Sequence, residues 1–334
     1  MLLAGDIGGT KTEVAIFAPE SGPSKPLVSA RFASGDYASL EAIVREFRQQ
    51  APQPIEAACF DVAGPVRGGR ARITNLPWVV ETEALRQAFG LKAVWLLNDL
   101  EAVAHGVLRA APEAKITLHA GEVEPGGSIA VIAPGTGLGE AYLTWDGRAY
   151  RAHPSEGGHT GFAPIGPLQV GLLDYMSKRW SHVSVERVCS GMALPGLYDY
   201  LRDTSYAPET PAVAARLAAA EDRAPIIAAA ALAEPPECAL CAATIDLFID
   251  ILGAETGDLA LKVLATGGVY LAGGVPGHLR AVLPNGRFER AYTHKGRLSE
   301  VVARMPVTLV LGSIALLGAA GYGLDQMQEL AVSA

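Results

Sequence analysis

The sequence has few cysteines and few charged residues. Its 334 residues include four cysteines, Cys59, Cys189, Cys238 and Cys241, which are too few and too scattered for a disulfide framework. This scarcity indicates a reducing compartment, and the cytoplasm is the expected location. Charged residues make up 19% of the chain and hydrophobic residues 50%, a balance that leaves little room for disorder.

Clusters of basic residues are also missing. The chain has 27 Lys and Arg against 35 Asp and Glu, a net charge of -8 at pH 7. Because nucleic-acid backbones are bound by clustered Lys and Arg, no nucleic-acid partner is expected. The N-terminus, Met1-Leu2-Leu3-Ala4, shows neither the basic segment nor the cleavage site of a secretory signal.

One uncharged run, residues 305–324, is long enough to span a membrane. The run is composite, however. Pro306 to Leu311 is β-branched, Gly312 and Ser313 interrupt it, and the segment from Ile314 has helical spacing. A buried strand followed by a packed helix is therefore predicted, with no membrane partner.

Cys238 and Cys241 form an isolated Cys-X-X-Cys pair in an alanine-rich helical stretch. A zinc site or a redox pair is one interpretation and helix packing is the other. Packing is favoured, because no second Cys or Cys/His pair stands nearby.

Two glycine-rich turns lie between strand-like segments. The first is Gly5-Asp6-Ile7-Gly8-Gly9-Thr10 and the second is Gly135-Thr136-Gly137-Leu138-Gly139. Glycine tolerates positive φ and leaves backbone N–H groups open to an anion, although each turn alone could be an ordinary hairpin. Two such turns indicate a phosphate tail held from two sides, and Asp6 would then face the metal ion of a nucleotide.

Further along the sequence are polar residues that could bind a second ligand, the acceptor of a phosphoryl group. Asn98 and Asp99 end an apolar strand and begin a helix, the position where α/β sheets place ligands, although Asp99 could also be only a helix N-cap. Glu156 and His159 lie in a glycine-rich turn too polar for a core, and Glu186 precedes another helix. Their spacing suits a polyhydroxylated ligand.

The order of strands and helices predicts an α/β protein with a duplicated α/β unit. A small domain is predicted from residues 1–110 plus 305–334, and a large domain from residues 111–304. Predicted strands are 2–5, 12–18, 27–32, 56–63, 93–98, 128–133, 140–145, 268–272 and 306–311. Predicted helices are 39–50, 81–89, 99–108, 167–180, 192–201, 212–233, 239–264 and 314–330.

Taken together, these motifs resemble the bacterial ATP-dependent glucokinases of the hexokinase superfamily, which have the actin-like, ribonuclease-H-like fold. The resemblance covers nearly the whole chain, and the order of the motifs makes it specific. The matching segments are Gly5–Thr10, Ala63–Val66, Thr74–Trp78, Asn98–Asp99, Gly135–Gly139, Glu156–His159, Glu186–Val188 and Gly267–Val275.

The resemblance implies transfer of a phosphoryl group from ATP, with Mg²⁺, to the 6-hydroxyl of D-glucose. It implies sugar contacts by Asn98, Asp99, Glu156, His159 and Glu186, with Asp99 as the catalytic base, and it implies that Asp6 positions Mg²⁺ through water. The implied ATP-binding residues are Gly5, Asp6, Ile7, Gly8, Gly9, Thr10, Gly135, Thr136, Gly137, Gly273 and Gly274.

The sequence departs from this family in two places. Gly312-Ser313-Ile314-Ala315 replaces a usual Asp-Asn-Pro-Gly run, and Lys11 stands where Asn is frequent. The related repressor/ORF/kinase (ROK) family is the nearest rival, but its cysteine-rich zinc signature is missing between His159 and Glu186.

Other functions on the same fold remain open. They include another hexose or amino-sugar kinase, and an actin-like or chaperone-like ATPase, which would not need the five polar sugar contacts. A sugar-sensing regulator would need an additional helix-turn-helix segment, whereas this chain starts at the first glycine turn. The oligomeric state is open, a homodimer included.

Overall fold

The structure, a computed structural model, describes residues 1–73 and 76–333. Thr74 and Asn75 of the predicted Thr74–Trp78 motif lie outside the described residues. Within them the chain forms fourteen β-strands and twelve α-helices. The strands are β1 (Leu2–Ile7), β2 (Lys11–Phe17), β3 (Val28–Ala33), β4 (Ala57–Val62), β5 (Val66–Arg67), β6 (Arg70–Arg72), β7 (Val79–Glu81), β8 (Ala93–Asn98), β9 (Lys115–His119), β10 (Ile129–Pro134), β11 (Leu138–Trp145), β12 (Tyr150–Ser155), β13 (Val269–Leu271) and β14 (Val307–Val310). The helices are α1 (Leu40–Gln50), α2 (Thr82–Phe89), α3 (Asp99–Arg109), α4 (Gly166–Ser177), α5 (Leu194–Asp203), α6 (Pro211–Ala218), α7 (Ala224–Leu232), α8 (Ala239–Val263), α9 (Gly274–His278), α10 (Arg287–Thr293), α11 (Ser299–Val302) and α12 (Ile314–Ser333).

The chain divides into two compact units. Unit 1 contains the described residues of Met1–Lys115, Ala152–Pro154 and Val310–Ala334, and unit 2 contains Ile116–Arg151 and Ser155–Leu309. The predicted domain boundaries at residues 110/111 and 304/305 stay a prediction.

Unit 1 is built on a five-stranded sheet of order β3-β2-β1-β4-β8. β1 pairs antiparallel with β2 and parallel with β4, which in turn pairs parallel with β8. β4 is buried along its whole length, as expected for a parallel strand covered on both faces. The parallel strands β1, β4 and β8 end at one edge, where Asp6, Asp61 and Asn98 lie.

Helix α12 packs on this sheet and against α3. The two helices approach closely because Gly318 has no side chain: a Cβ there would lie 1.8 Å from the carbonyl oxygen of Ala102. Helix α1 packs on the other face of this sheet and buries Ile43, Val44 and Phe47. Ser39 is the N-cap of this helix.

The six-stranded sheet has the order β12-β11-β10-β13-β14-β9, and most of its residues belong to unit 2. β10 forms a hairpin with β11 and pairs parallel with β13, which pairs parallel with β14. Unit 2 therefore repeats the hairpin followed by parallel strands seen in unit 1. This repetition confirms the predicted duplication of one α/β unit.

Two predictions for single elements have different outcomes. The strand and helix predicted over residues 306–330 are present as β14 and α12, and no helix of the described residues is long and apolar enough to cross a membrane. The continuous helix predicted over residues 212–233 is wrong. The chain forms α6 and α7 instead, with Pro225 in the first turn of α7, where its missing N–H costs nothing.

Candidate active site

Three carboxyl groups gather at the carboxyl edge of the unit 1 sheet. Asp6 on β1 is directly opposite Asp61 on β4, and Asp99 follows two residues after Leu97, the β8 partner of Asp61. Asp61 is fully buried, and neither of its carboxyl oxygens has a hydrogen-bond donor among the described residues. Sequence analysis missed Asp61, because only the strand register brings it beside Asp6.

Burial governs the protonation of this cluster. Desolvation, joined by the charges of Asp6 and Asp99, raises the pKa of Asp61 well above its ordinary range, so Asp61 holds a proton more readily than an exposed aspartate does. Burial likewise raises the pKa of Asp6. Burial raises the pKa of Asp99 to about 6, a hydrogen bond from the Leu100 N–H opposes the rise, and the charge of Asp6 adds to it. Asp99 is therefore ionised at neutral pH but holds a proton more readily than an exposed aspartate.

Asn98, not Asp99, is the N-cap of α3. Its Oδ1 accepts a hydrogen bond from the Leu100 N–H at 3.0 Å, and its Nδ2 donates to the Gly64 carbonyl at 3.1 Å. Asp99 is the first helical residue, and only its Oδ1 accepts from Leu100, at 2.9 Å. The cap interpretation of Asp99 is thus wrong, and within the described residues the Leu100 N–H binds only one of its two carboxylate oxygens.

The first glycine turn connects β1 and β2 in unit 1. Gly8 donates its N–H to the Lys11 carbonyl at 3.0 Å, which closes the turn. Ser34 holds the turn from outside: its hydroxyl donates to the Gly8 carbonyl at 2.8 Å, and its N–H donates to the Thr10 carbonyl at 3.0 Å. The backbone N–H groups of Gly9 and Thr10 have no acceptor among the described residues, which is the arrangement that a phosphate requires. Ser34 is a second residue that sequence analysis missed.

The second glycine turn lies between β10 and β11 in unit 2. Gly135 donates to the Gly137 carbonyl at 2.9 Å and accepts from the Gly191 N–H at 2.8 Å. In the described part of the chain, the N–H groups of Thr136 and Gly137 find no acceptor. This turn can therefore also offer two N–H groups to an anion.

Gly273 and Gly274 lie beside the second turn. Gly273 has a φ of +95°, and a Cβ there would lie 2.5 Å from the Pro134 carbonyl oxygen, so glycine alone fits the position. Gly274 begins α9 and has open space around its Cα. The structure thus brings together the residues of unit 2 predicted to bind ATP.

Glu156, His159 and Glu186 also come together in unit 2. His159 Nε2 lies 3.8 Å from Glu156 Oε2, and His159 Nδ1 lies 3.9 Å from Glu186 Oε1. The side chains of Glu156 and His159 are 79% and 61% exposed, whereas that of Glu186 is 19% exposed. Together they form an open cluster of polar groups that can accept and donate hydrogen bonds.

Glu186 joins this cluster to the second glycine turn. Its Oε2 accepts from the Leu138 N–H at 3.0 Å. A Cβ on Gly137 would lie 2.3 Å from the same oxygen, so the Glu186 carboxylate lies directly against this turn. One carboxylate thus contacts both a predicted phosphate turn and a predicted sugar residue.

The Cys-X-X-Cys pair is buried at the start of α8. Cys238 is the N-cap residue and Cys241 lies in the first turn. In the described residues, no group of three or more His, Cys, Asp or Glu is arranged to hold a metal ion. Both side chains are buried, which agrees with the packing interpretation.

The chain is similar to known proteins over almost its whole length. The glucokinase family model matches residues 3–326. The chain is 38% identical to the glucokinase of Nostoc sp. strain PCC 7120 over 334 residues, which is 96% of this chain and 98% of that protein. A crystal structure of glucokinase from an Antarctic psychrotroph has a TM-score of 0.83 and 32% identity, and the match covers 97% of this chain and 98% of that one. A ROK family glucokinase from Streptomyces griseus, solved with glucose and AMPPNP, has a TM-score of 0.65 at 21% identity over 97% of this chain and 99% of that one, a likeness of fold.

The fold and the site define a sugar kinase with the actin-like ATPase fold. The chain belongs to the glucokinase family. The family resemblance predicted from the sequence motifs is confirmed, and so is the predicted fold class.

Proposed function

We propose that this protein transfers the γ-phosphoryl group of ATP to the 6-hydroxyl of D-glucose, giving glucose 6-phosphate and ADP. The observation that carries the proposal is the position of Glu186, which contacts both His159 and the second glycine turn. One carboxylate lies beside both a proposed sugar contact and a proposed phosphate turn. The sugar and the phosphate would therefore bind close together, as phosphoryl transfer requires. Family membership supports the same reaction.

Sugar binding in this proposal uses Asn98, Asp99, Glu156, His159 and Glu186. Carboxylates suit a sugar, because each hydroxyl is a neutral donor and hydrogen bonds to a charged acceptor are about twice as strong as neutral ones. The exposure of Glu156 and His159 leaves their polar atoms available for these contacts.

Asp99 is the proposed base. Its free carboxylate oxygen accepts the proton of the 6-hydroxyl as the oxygen attacks the γ-phosphorus, and the bond from phosphorus to the ADP oxygen breaks. The raised pKa makes Asp99 a better proton acceptor than an exposed aspartate, while still leaving it ionised near pH 7.

ATP binding in this proposal uses the two glycine turns together with Gly273 and Gly274. The four N–H groups at Gly9, Thr10, Thr136 and Gly137 fit phosphate oxygens, since they have no acceptor among the described residues. Asp6 would position Mg²⁺ through water, and the ion would neutralise phosphate charge. With free cysteines and ATP as donor, the cytoplasm is the proposed location.

The test is an assay of ADP release by the purified protein, with ATP and Mg²⁺, in the presence and absence of D-glucose. Release that requires glucose, with stoichiometric glucose 6-phosphate, is expected. Mannose, fructose and glucosamine are the parallel acceptors, and glucose should have the largest kcat/KM.

Each alternative function has its own outcome in this assay. ADP release without sugar would indicate an actin-like ATPase instead. Binding of glucose without any turnover would favour a sugar sensor, and a larger kcat/KM for another sugar would replace glucose as the acceptor.

A further inference from the structure

Glu140 is a buried acid that the proposed reaction does not use. It lies on β11 opposite Ile132, with 1% of its surface exposed, and its Oε1 has no hydrogen-bond donor among the described residues. Glu255 on α8, itself only 6% exposed, lies within hydrogen-bond range of the Glu140 side chain. Two carboxylates cannot hydrogen-bond to one another, because both only accept, so this contact requires a proton on one of them.

The surrounding charges place that proton on Glu140. Lys262 Nζ pairs with Glu255 Oε1 at 3.1 Å, whereas no cation pairs with Glu140 among the described residues. The other groups facing Glu140 are Asp258 on α8, whose charge is paired with Lys295 at 2.6 Å, and the buried Cys189 thiol. Burial, followed by the charge of Glu255, raises the pKa of Glu140 to about 7.

The second oxygen of Glu140 supports the turn that carries Glu156 and His159. A Cβ on Gly157 would lie 1.9 Å from Glu140 Oε2, so the carboxyl group lies directly against the backbone of this turn. The next residue, Gly158, lies equally close to β11, where a Cβ would lie 2.3 Å from the Leu138 carbonyl oxygen. The turn therefore packs against the Glu140 carboxyl group through Gly157 and against the β11 backbone through Gly158.

We propose that Glu140 is a positioning residue for the sugar: by sharing a proton with Glu255, its carboxyl group holds the Gly157 turn so that Glu156 and His159 bind glucose. The inference rests on the proposed function, because it takes Glu156 and His159 as sugar contacts. Loss of the shared proton places two negative charges in contact beneath the turn, and glucose binding weakens.

The experiment measures the Kd of D-glucose by calorimetry between pH 6 and pH 8.5, without ATP, so that neither catalysis nor titration of ATP contributes. Glucose does not ionise in this range. Because glucose binds the protonated form better, the ratio of the wild-type Kd to the Glu140→Gln Kd should rise roughly threefold or more from pH 6 to pH 8.5. Glu140→Gln keeps a permanent N–H donor to Glu255, so its own profile shows only the titration of other groups, such as Asp99, whose pKa is about 6.

Two further variants complete the design. Glu140→Leu removes the hydrogen bond and should raise the Kd at every pH, and if it fails to fold, the Gln variant decides alone. Glu124→Gln, an exposed change in the same unit, should keep the wild-type pH profile.

A ratio of the two Kd values that stays constant between pH 6 and pH 8.5 would overturn the inference. Glu156→Ala separates this failure from failure of the proposed function. If Glu156→Ala binds glucose as the wild type does, the sugar contacts themselves are misassigned.

Discussion

At the residue scale, the pair Asn98 and Asp99 divides two tasks between adjacent side chains. Asn98 satisfies the N-terminus of α3 and ties it to Gly64, so the helix start is fixed without Asp99. Asp99 is then held by one oxygen, while burial keeps its pKa near 6. A rigid carboxylate with one free oxygen and a moderately raised pKa is well suited to accept a proton.

Asp99→Asn tests this role. The variant should fold normally, because Asn can accept the same Leu100 hydrogen bond, and should lose roughly 10²–10⁴-fold in kcat. In the wild type, kcat should fall as the pH drops through about 6, since only the ionised carboxylate can take the proton. Measuring kcat between pH 5 and pH 8 checks both points, and near-wild-type turnover of Asp99→Asn would remove Asp99 from the mechanism.

Glu156→Ala and His159→Ala test the sugar cluster. Loss of one partner from a hydrogen-bonded site costs about 1–3 kcal/mol, so each variant should raise the KM for glucose by roughly tenfold to a hundredfold. The KM for ATP should change little. His294→Ala, an exposed histidine of the same unit, is the control. An unaltered glucose KM in His159→Ala would contradict the assignment.

At the element scale, the close approach of α3 and α12 supports the sheet edge that carries the carboxyl cluster. Ala319 and Ala320 of α12 are fully buried against the strands, and glycines let the helix backbones meet. The segment from Gly312 to Ala315 departs from the family pattern, yet α12 still begins at Ile314. Small residues on this helix, rather than the missing Asp-Asn-Pro-Gly run, fix its packing.

Gly318→Ala tests this contact. The added Cβ would lie 1.8 Å from the Ala102 carbonyl oxygen, a backbone atom that cannot move aside alone. Overpacking of this kind costs about 1–3 kcal/mol, so the midpoint of thermal unfolding should fall. Gly196→Ala in α5 is the matched control, because its Cβ would meet only the flexible end of Met176 at 3.4 Å. It should be neutral or slightly stabilising, and equal midpoints for the two variants would refute the packing argument.

At the scale of the whole molecule, the same α/β plan occurs twice and each copy carries its own glycine turn. Unit 1 adds a carboxyl cluster to its turn, and unit 2 adds the Glu156, His159 and Glu186 cluster. Each unit therefore carries residues that the proposed function uses, and bound glucose should stabilise the folded chain.

Thermal unfolding with and without D-glucose tests this expectation. A ligand that binds only the folded protein stabilises it by about 2.7 kcal/mol at 100 times its Kd. The midpoint should therefore rise with D-glucose and stay unchanged with L-glucose, and the rise should be smaller in Glu156→Ala. No change of midpoint at saturating D-glucose would contradict glucose binding.

Most of the fold was predictable, because strand and helix periods and turn chemistry are local properties. All the predicted strands are present, and the two glycine turns lie where the sequence indicates. The exceptions are strands β5 to β7, β9 and β12 and helices α9 to α11, which were not predicted, and the helix predicted over residues 212–233, which Pro225 divides.

The sequence by itself determined which residue types were available for chemistry: glycines for phosphate, Asn98 with Asp99, and the Glu156 turn. Only the tertiary structure decided how distant residues combine. Strand register places Asp61 beside Asp6, packing of α8 places Glu255 beside Glu140, and a hydrogen bond ties Glu186 to the second glycine turn. The reason is physical: the motifs depend on neighbours along the chain, whereas shared protons and raised pKa values depend on desolvation and on charges that long-range packing brings together.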